Sequence, residues 1–315
     1  MRFANSFSDR FQDSTWRLLG WLASTLIFLV FSVSASMALA SDLIETSDII
    51  YYDGEGFSDE KHRLDLVLPS EHPPKATMLW IHGGAWAFGD RKNDLNLARA
   101  FARDGVAVAS MSYRLSPGNW RGEEFPSTGV QHPEHIKDVA RAFSWLHDNA
   151  DEYGLDTSNL FVSGFSAGGH LAALLAMDDR YLAEQGLDRS SLKAAIPVAG
   201  GYDLEAYYQA IEEGLGQDIA IGHVLGVFGP RDSLPDASPL TYLRDAIIPM
   251  LVLTEGETAD YTRLFDKAVT EAGKTDLIQF SYYDEETHAS LLASLSLENS
   301  PARDEMLEFI HSMLE

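Results

Sequence analysis

Two hydrophobic rhythms alternate along most of this chain. Short apolar runs at Thr77–Ile81, Val106–Ala109, Leu160–Val162, Ala194–Val198, Met250–Leu253 and Leu277–Tyr283 have strand length and read as buried strands. Other stretches carry helical spacing. Ile136, Val139, Ala140, Phe143, Leu146 and Ala150 share one face, with Lys137, Asp138, Arg141 and Asp148 off it. Leu264, Phe265 and Val269 form a similar run, as do Met306, Phe309, Ile310 and Met313. Strands that alternate with helices predict an α/β fold on a mostly parallel sheet. Ile49–Tyr52 and Leu64–Leu68 predict two early strands. A polar, Gly-containing stretch, Tyr202–Pro235, breaks the rhythm and is expected as a small insertion covering the sheet's C-terminal edge. From Ser41 onward there is no repeat, low-complexity tract or linker, so a single domain over 41–315 is expected.

The N-terminal stretch follows neither rhythm. Arg2, Arg10 and Arg17, diluted by Asp9 and Asp13, precede an uncharged run from Leu18 to Ala40. That run ends Ala38-Leu39-Ala40 before the polar Ser41-Asp42. Basic start, apolar middle and small-x-small end predict a secretory signal peptide over 1–40, cut after Ala40. The competing expectation is an uncleaved N-terminal anchor, since the apolar run approaches the ~20 residues that span a bilayer. Either way the rest of the chain is expected to be exported, periplasmic or secreted, with membrane contact only if the segment stays uncleaved.

Composition narrows the chemistry. The 315 residues contain no cysteine, which excludes a disulfide scaffold, a zinc-thiolate site, a cysteine nucleophile and a lipidated N-terminal cysteine. Lys+Arg is 23 against Asp+Glu 48, a formal net charge of -25. Such a surface repels phosphate backbones, so no nucleic-acid partner is expected.

Gly164-Phe165-Ser166-Ala167-Gly168 fits G-x-S-x-G. A buried strand precedes it, and Gly169-His170-Leu171-Ala172-Ala173-Leu174 opens a helix after it. That context predicts a tight strand-to-helix turn presenting Ser166 as a nucleophile. Upstream, His82-Gly83-Gly84-Ala85-Trp86 follows the strand ending at Ile81. Attack on a carbonyl creates an oxyanion that needs preorganised N–H donors. The backbone of Gly83 and Gly84, with the N–H of Ala167, is expected to supply them. His82 is expected to shape that loop and Trp86 to pack beneath it.

Trp80-Ile81-His82-Gly83-Gly84-Ala85-Trp86, Gly89-Asp90-Arg91-Lys92, Ser112-Tyr113-Arg114-Leu115 and Gly164-Phe165-Ser166-Ala167-Gly168-Gly169-His170 together resemble the α/β-hydrolase superfamily. Ala237-Ser238-Pro239-Leu240 adds to the likeness. The nearer resemblance is to the carboxylesterase group, similar to hormone-sensitive-lipase-type esterases and arylformamidases. It implies an eight-stranded, mostly parallel sheet flanked by helices, a Ser-acid-His triad in that chain order, no metal and no cofactor.

A triad needs a histidine to take the serine proton and a carboxylate to hold that histidine's tautomer. Of the histidines after Ser166, His170 lies one helical turn on and reads as structural. His223 falls in the insertion, and His311 in the C-terminal amphipathic helix. His288 follows the last strand, where the resemblance places the base. For the acid, the resemblance leads one to expect Gly-x-x-Asp after the penultimate strand, and no aspartate stands there. Matching Glu257-Thr258-Ala259-Asp260-Tyr261 to the acid loop of the arylformamidase-like branch puts Glu257 first, with Asp260 as rival and Glu255 third. The expected activity is hydrolysis of small carboxylic esters by a serine carboxylesterase through an acyl-enzyme. The alternatives are N-formyl amide cleavage of the arylformamidase type and a non-catalytic binding protein on the same fold.

Overall fold

Along the strand Ala76–Ile81 the side chains alternate between two cores: Met78 and Trp80 join one, Leu79 and Ile81 the other. A strand buried on both faces belongs at the centre of a sheet covered on both sides. In the computed structural model, which describes residues 42–117 and 129–314, this is β3. The segment expected as a signal peptide lies outside the described residues.

The strands are β1 (Leu43–Ile50), β2 (Arg63–Pro69), β3, β4 (Val106–Met111), β5 (Leu160–Phe165), β6 (Ala194–Val198), β7 (Met250–Glu255) and β8 (Ile278–Tyr283). They form an 8-stranded sheet in the order β1-β2-β4-β3-β5-β6-β7-β8. β1 and β2 pair antiparallel with β2 and β4, and every other pairing is parallel. Helices α1 (Leu95–Arg103) and α7 (Pro301–Leu314) contribute Leu97, Phe101, Met306 and Ile310 to the Trp80 side. α2 (Glu134–Asp148), α3 (Ala167–Met177) and α5 (Ala259–Glu271) contribute Ile136, Phe143, Leu171 and Phe265 to the Leu79 side. Between them in sequence lie α4 (Leu204–Leu215) and α6 (His288–Ser294).

The topology itself selects a place for chemistry. From β3 the chain first adds β4 on one side, then crosses over α2 to add β5 on the other. The carboxyl ends of β3 and β5 therefore flank the point where the winding reverses, the crevice where open α/β sheets bind ligands. Residues 82–84 leave β3 there and Ser166 leaves β5.

The stretch expected to be polar and irregular is largely helical. It opens with α4, whose Leu204 and Tyr208 are buried, and continues through short turns that bury Ala220, Val224, Val227 and Phe228. Its glycines and charges are exposed or half-buried and are interleaved with the apolar inner face, which a linear reading does not separate.

One polar device fastens α2 to the rest. Asp138 is fully buried. It accepts from His62 Nε2 at 3.0 Å, from Arg114 Nε at 2.9 Å and backbone N at 3.0 Å, and from Arg141 Nη1 at 2.8 Å. His62 Nδ1 accepts from the Ser58 N–H at 2.9 Å, so the ring's proton sits on Nε2 and points at Asp138. Burial alone would raise the Asp138 carboxyl, but the His62 and Arg114 donors outweigh it and hold it at about 2. A depressed folded-state pKa stabilises above the ordinary carboxylate range, and that contribution is lost as pH falls from about 4 towards 2. Asp138→Asn is expected to cost roughly 3 kcal/mol at neutral pH, because it removes the buried charge that Arg141 pairs with and leaves Arg114 with Glu134 alone among the described carboxylates. Denaturant unfolding at pH 7 and pH 3 checks this. A variant within 1 kcal/mol of wild type at pH 7 would contradict it.

Candidate active site

The turn between β5 and α3 is forced by what surrounds it. Ser166 has φ 56° and ψ -116°, a conformation outside the ordinary wells for an L-residue. Such strain costs about 1–3 kcal/mol and persists only where neighbours impose it. The neighbours are identifiable: Ser166 N–H donates to Val198 O on β6 at 2.8 Å, and Ser166 O accepts from His170 N–H at 3.0 Å. Gly168 cannot be larger, since a Cβ there would lie 2.0 Å from Ile81 O. The helix thus begins hard against β3, and Ala167 is its first residue, with an N–H that no intrahelical carbonyl can accept.

The 82–86 loop backs onto this turn. A Cβ on Gly83 would sit 3.1 Å from Phe165 O and 3.4 Å from Ser166 Cβ. Gly84 has φ +115°, and a Cβ there would collide with Phe88 O at 2.0 Å. Ala85 and Trp86 also take positive φ, 50° and 58°, so the loop is held open against its own preferences. His82 helps hold it. Its Nδ1 lies 2.6 Å from Gly83 O, its ring stacks on Tyr113 at 4.4 Å, and burial pushes its pKa down to about 4. It is a neutral brace, as expected of it.

His170 is likewise neutral, pushed down to about 3 by burial. Its Nδ1 accepts from Trp86 Nε1 at 3.2 Å and its Nε2 faces Ala237 O at 2.8 Å. One ring thereby joins the 82–86 loop, α3 and the Ala237-Ser238-Pro239 segment. Trp86 is buried against His170, Phe228, Tyr207 and His223. His223 meets Tyr207 Oη at 2.8 Å inside the insertion. His311 is exposed on α7.

His288 is the first residue of α6, capped by Thr287, whose hydroxyl accepts from Ser290 N–H while Ser290 Oγ takes the Thr287 N–H. Its ring lies 4.4 Å from that of Phe165, the residue before Ser166. Its Nδ1 is 2.9 Å from Glu255 Oε1. An ionised carboxylate only accepts, so Nδ1 carries the proton and Nε2 keeps the lone pair a general base needs. Burial would raise the Glu255 carboxyl. The donors His288, Thr258 Oγ1 and Glu257 N–H outweigh that and hold it below the usual range.

The structure brings Glu255 to His288, and neither the expected Glu257 nor its rival Asp260. Glu257 is exposed in the turn after β7, and only its backbone N–H takes part, donating to Glu255 Oε2 at 2.5 Å. Asp260, in the first turn of α5, is fully exposed and faces Arg263 at 3.7 Å. The apolar run ends at Leu253, but pairing with β8 continues through Thr254↔Tyr282 and Glu255↔Tyr283. Glu255 is therefore the last residue of β7. Strand parity puts it on the face of Leu251 and Leu253, the face that also receives Leu291 and Leu295 of the segment starting at His288. That parity was the available signal.

Among the described residues no group of three or more His, Cys, Asp or Glu side chains is arranged to hold a metal ion. A separate hollow of about 440 Å³, lined by Asp48, Asp59, Asp90, Arg63, Arg91 and Lys92 among others, includes none of the residues above.

An eight-stranded sheet, a strained serine at the β5–α3 turn and a histidine after β8 define the α/β-hydrolase fold. Esterase B from Lactobacillus Rhamnosis shares it with a TM-score of 0.69 at 19% identity, over 94% of this chain and 95% of that one. An esterase from Pyrobaculum calidifontis shares it with a TM-score of 0.63 at 22% identity, over 87% and 85%. Residues 64–262 match the family model described as BD-FAE, and the chain belongs to that family. Among curated relatives, a probable isoprenylcysteine alpha-carbonyl methylesterase of Oryza sativa subsp. japonica is 27% identical over 81% of this chain and 61% of its own length. Esterase LipQ of Mycobacterium tuberculosis is 31% identical over 73% of this chain and 53% of its own. The chain spans no more than about three fifths of the length of these relatives.

Proposed function

We propose that this chain is a serine hydrolase that cleaves small carboxylic esters. The observation that carries this reading is the hydrogen bond from His288 to Glu255, made beside Phe165 and the strained Ser166 turn. In this reading His288 Nε2 takes the Ser166 proton as Oγ attacks the ester carbonyl. The N–H groups of Gly83, Gly84 and Ala167 receive the oxyanion. His288 then protonates the departing alcohol, leaving an acyl group on Ser166. Water, deprotonated by the same nitrogen, attacks the acyl group, and the acid leaves as His288 returns the proton to Ser166 Oγ. Glu255 keeps the ring in the required tautomer and stabilises it when charged. The esterase names of the relatives support the same reaction class.

The formamide alternative rests on the likeness of the 257–261 loop to the arylformamidase-like branch, whereas in the present reading the acid is Glu255. Side-by-side turnover of p-nitrophenyl acetate and N-formylkynurenine tests the choice. Faster formamide cleavage would favour the alternative, and turnover of neither would favour a binding protein. The same reading includes export, with cleavage after Ala40. The pattern Ala38-Leu39-Ala40 supports it, and the expected mature protein begins at Ser41. Intact-mass measurement on protein from an exporting host checks this. A membrane-bound species retaining residues 1–40 would overturn it.

A further inference from the structure

Three threonines stand in line behind the proposed triad acid. Thr258 Oγ1 donates to Glu255 Oε1 at 2.8 Å. Thr254 Oγ1 lies 2.9 Å from Thr258 Oγ1 and 3.1 Å from Thr262 Oγ1. Thr262 Oγ1 also reaches Thr258 O at 3.0 Å. Thr254 and Thr262 are 0% exposed and Thr258 5%. Hydroxyls in such a place cost desolvation unless bonded, and valine would fill the same volume without that cost.

The order of protons along this line follows from its end. The carboxylate only accepts, so the single Thr258 proton points at Glu255. The Thr254 contact must then be donated by Thr254, while Thr262 donates its single proton to the carbonyl oxygen of Thr258 and packs its hydroxyl against Thr254 Oγ1. The Thr254 and Thr258 hydroxyl dipoles therefore run one way, from β7 to the carboxylate, and bonds in such a chain strengthen one another in a low-dielectric interior.

We propose that Thr258, backed by Thr254 and Thr262, is a positioning residue that clamps Glu255 Oε1 where His288 Nδ1 meets it. The inference rests on the esterase reading above. His288 donates to the same oxygen that Thr258 holds, so the clamp fixes both the direction of the carboxylate and the share of its charge that reaches the imidazole. Among the described residues, the other oxygen is held by Glu257 N–H. The titratable groups facing Glu255 are His288 from α6 and Tyr261 from α5. Tyr261, raised by burial and then by the nearby carboxylates, stays neutral across the working range.

The test compares Thr258→Val and Thr258→Ser with wild type, using p-nitrophenyl acetate across pH. Valine keeps the shape and removes the donor; serine keeps the donor. Thr258→Val is expected to lower kcat by about tenfold to a hundredfold, the scale of one hydrogen bond to a charged group, with KM within about twofold. Its acidic limb should move to higher pH, because a carboxylate with one donor fewer holds the protonated imidazole more tightly. Thr258→Ser should restore kcat to within about threefold of wild type, and Thr254→Val, which removes only the second link, should fall between. A Thr258→Val enzyme with wild-type kcat and an unmoved acidic limb would overturn the proposal. So would equal losses in the valine and serine variants with the limb in place, since that pattern marks packing alone. Failure of the esterase reading is distinguishable, because it would show in the wild type as no ester turnover, or as turnover that survives Ser166→Ala.

Discussion

Ser166→Ala is expected to reduce ester turnover by about 10⁴–10⁶ in kcat, because the three triad groups act as a unit and what remains comes from the oxyanion donors and binding. The fold should be unaffected. The bonds that impose the Ser166 conformation, to Val198 O and from His170 N–H, are made by its backbone, and alanine keeps them. The only loss is a hydroxyl at the mouth of the crevice, so stability should stay within about 1 kcal/mol of wild type. Burst kinetics with a nitrophenyl ester give the matching positive observation, since the proposed mechanism forms an acyl-enzyme on Ser166 before water releases it. Activity within tenfold of wild type would remove Ser166 from the mechanism.

The second large effect separates two glutamates two residues apart. Glu255→Gln keeps the shape but sets a neutral amide against His288 Nδ1. It can present an N–H where an acceptor is needed, and it cannot stabilise the imidazolium. The precedent for such an acid-to-amide change is a loss of about 10⁴ in kcat. Glu257→Gln should stay within about threefold, for a structural reason: its contribution to the site is a backbone N–H, which the substitution leaves in place. Asp260→Asn should cost at most about tenfold, through the start of α5 rather than through chemistry. Kinetics on the three single variants decide the matter. A large loss at Glu257 with none at Glu255 would reverse the acid assignment and leave Ser166 and His288 untouched.

Much of the architecture was legible before any coordinate. Leu160–Val162 followed by Gly164-Phe165-Ser166-Ala167-Gly168 and a helical run announces a strand-turn-helix unit, because only glycine at 164 and 168 leaves room for so tight a reversal. The position of His288 was legible for a related reason: Leu277–Tyr283 is the last apolar run of strand length, so the loop after it opens at the sheet's carboxyl edge. His170 read as structural from its place one turn into α3, and its two buried hydrogen bonds agree. The insertion was harder to read, because the buried positions from Leu204 to Phe228 are spread over several short helices and never form one sustained period.

What the sequence by itself determined about this protein is therefore its periodic part: the alternation that makes a mostly parallel sheet, the turn that carries Ser166, and the placing of His288 after the last strand. These depend on local spacing and on which residues tolerate a tight backbone, and both are written along the chain. Tertiary structure decided which carboxylate meets His288. Hydropathy ends the seventh strand at Leu253, but β8 pairs with two more residues and carries Glu255 to the edge of the sheet. Glu255 is also held there by Thr258, presented at the start of α5, and by the ring of His288, more than thirty residues away. A strand's end is set by the partner that continues its ladder. A buried carboxylate is made tolerable by donors from other elements, and neither can be read from the six residues around it.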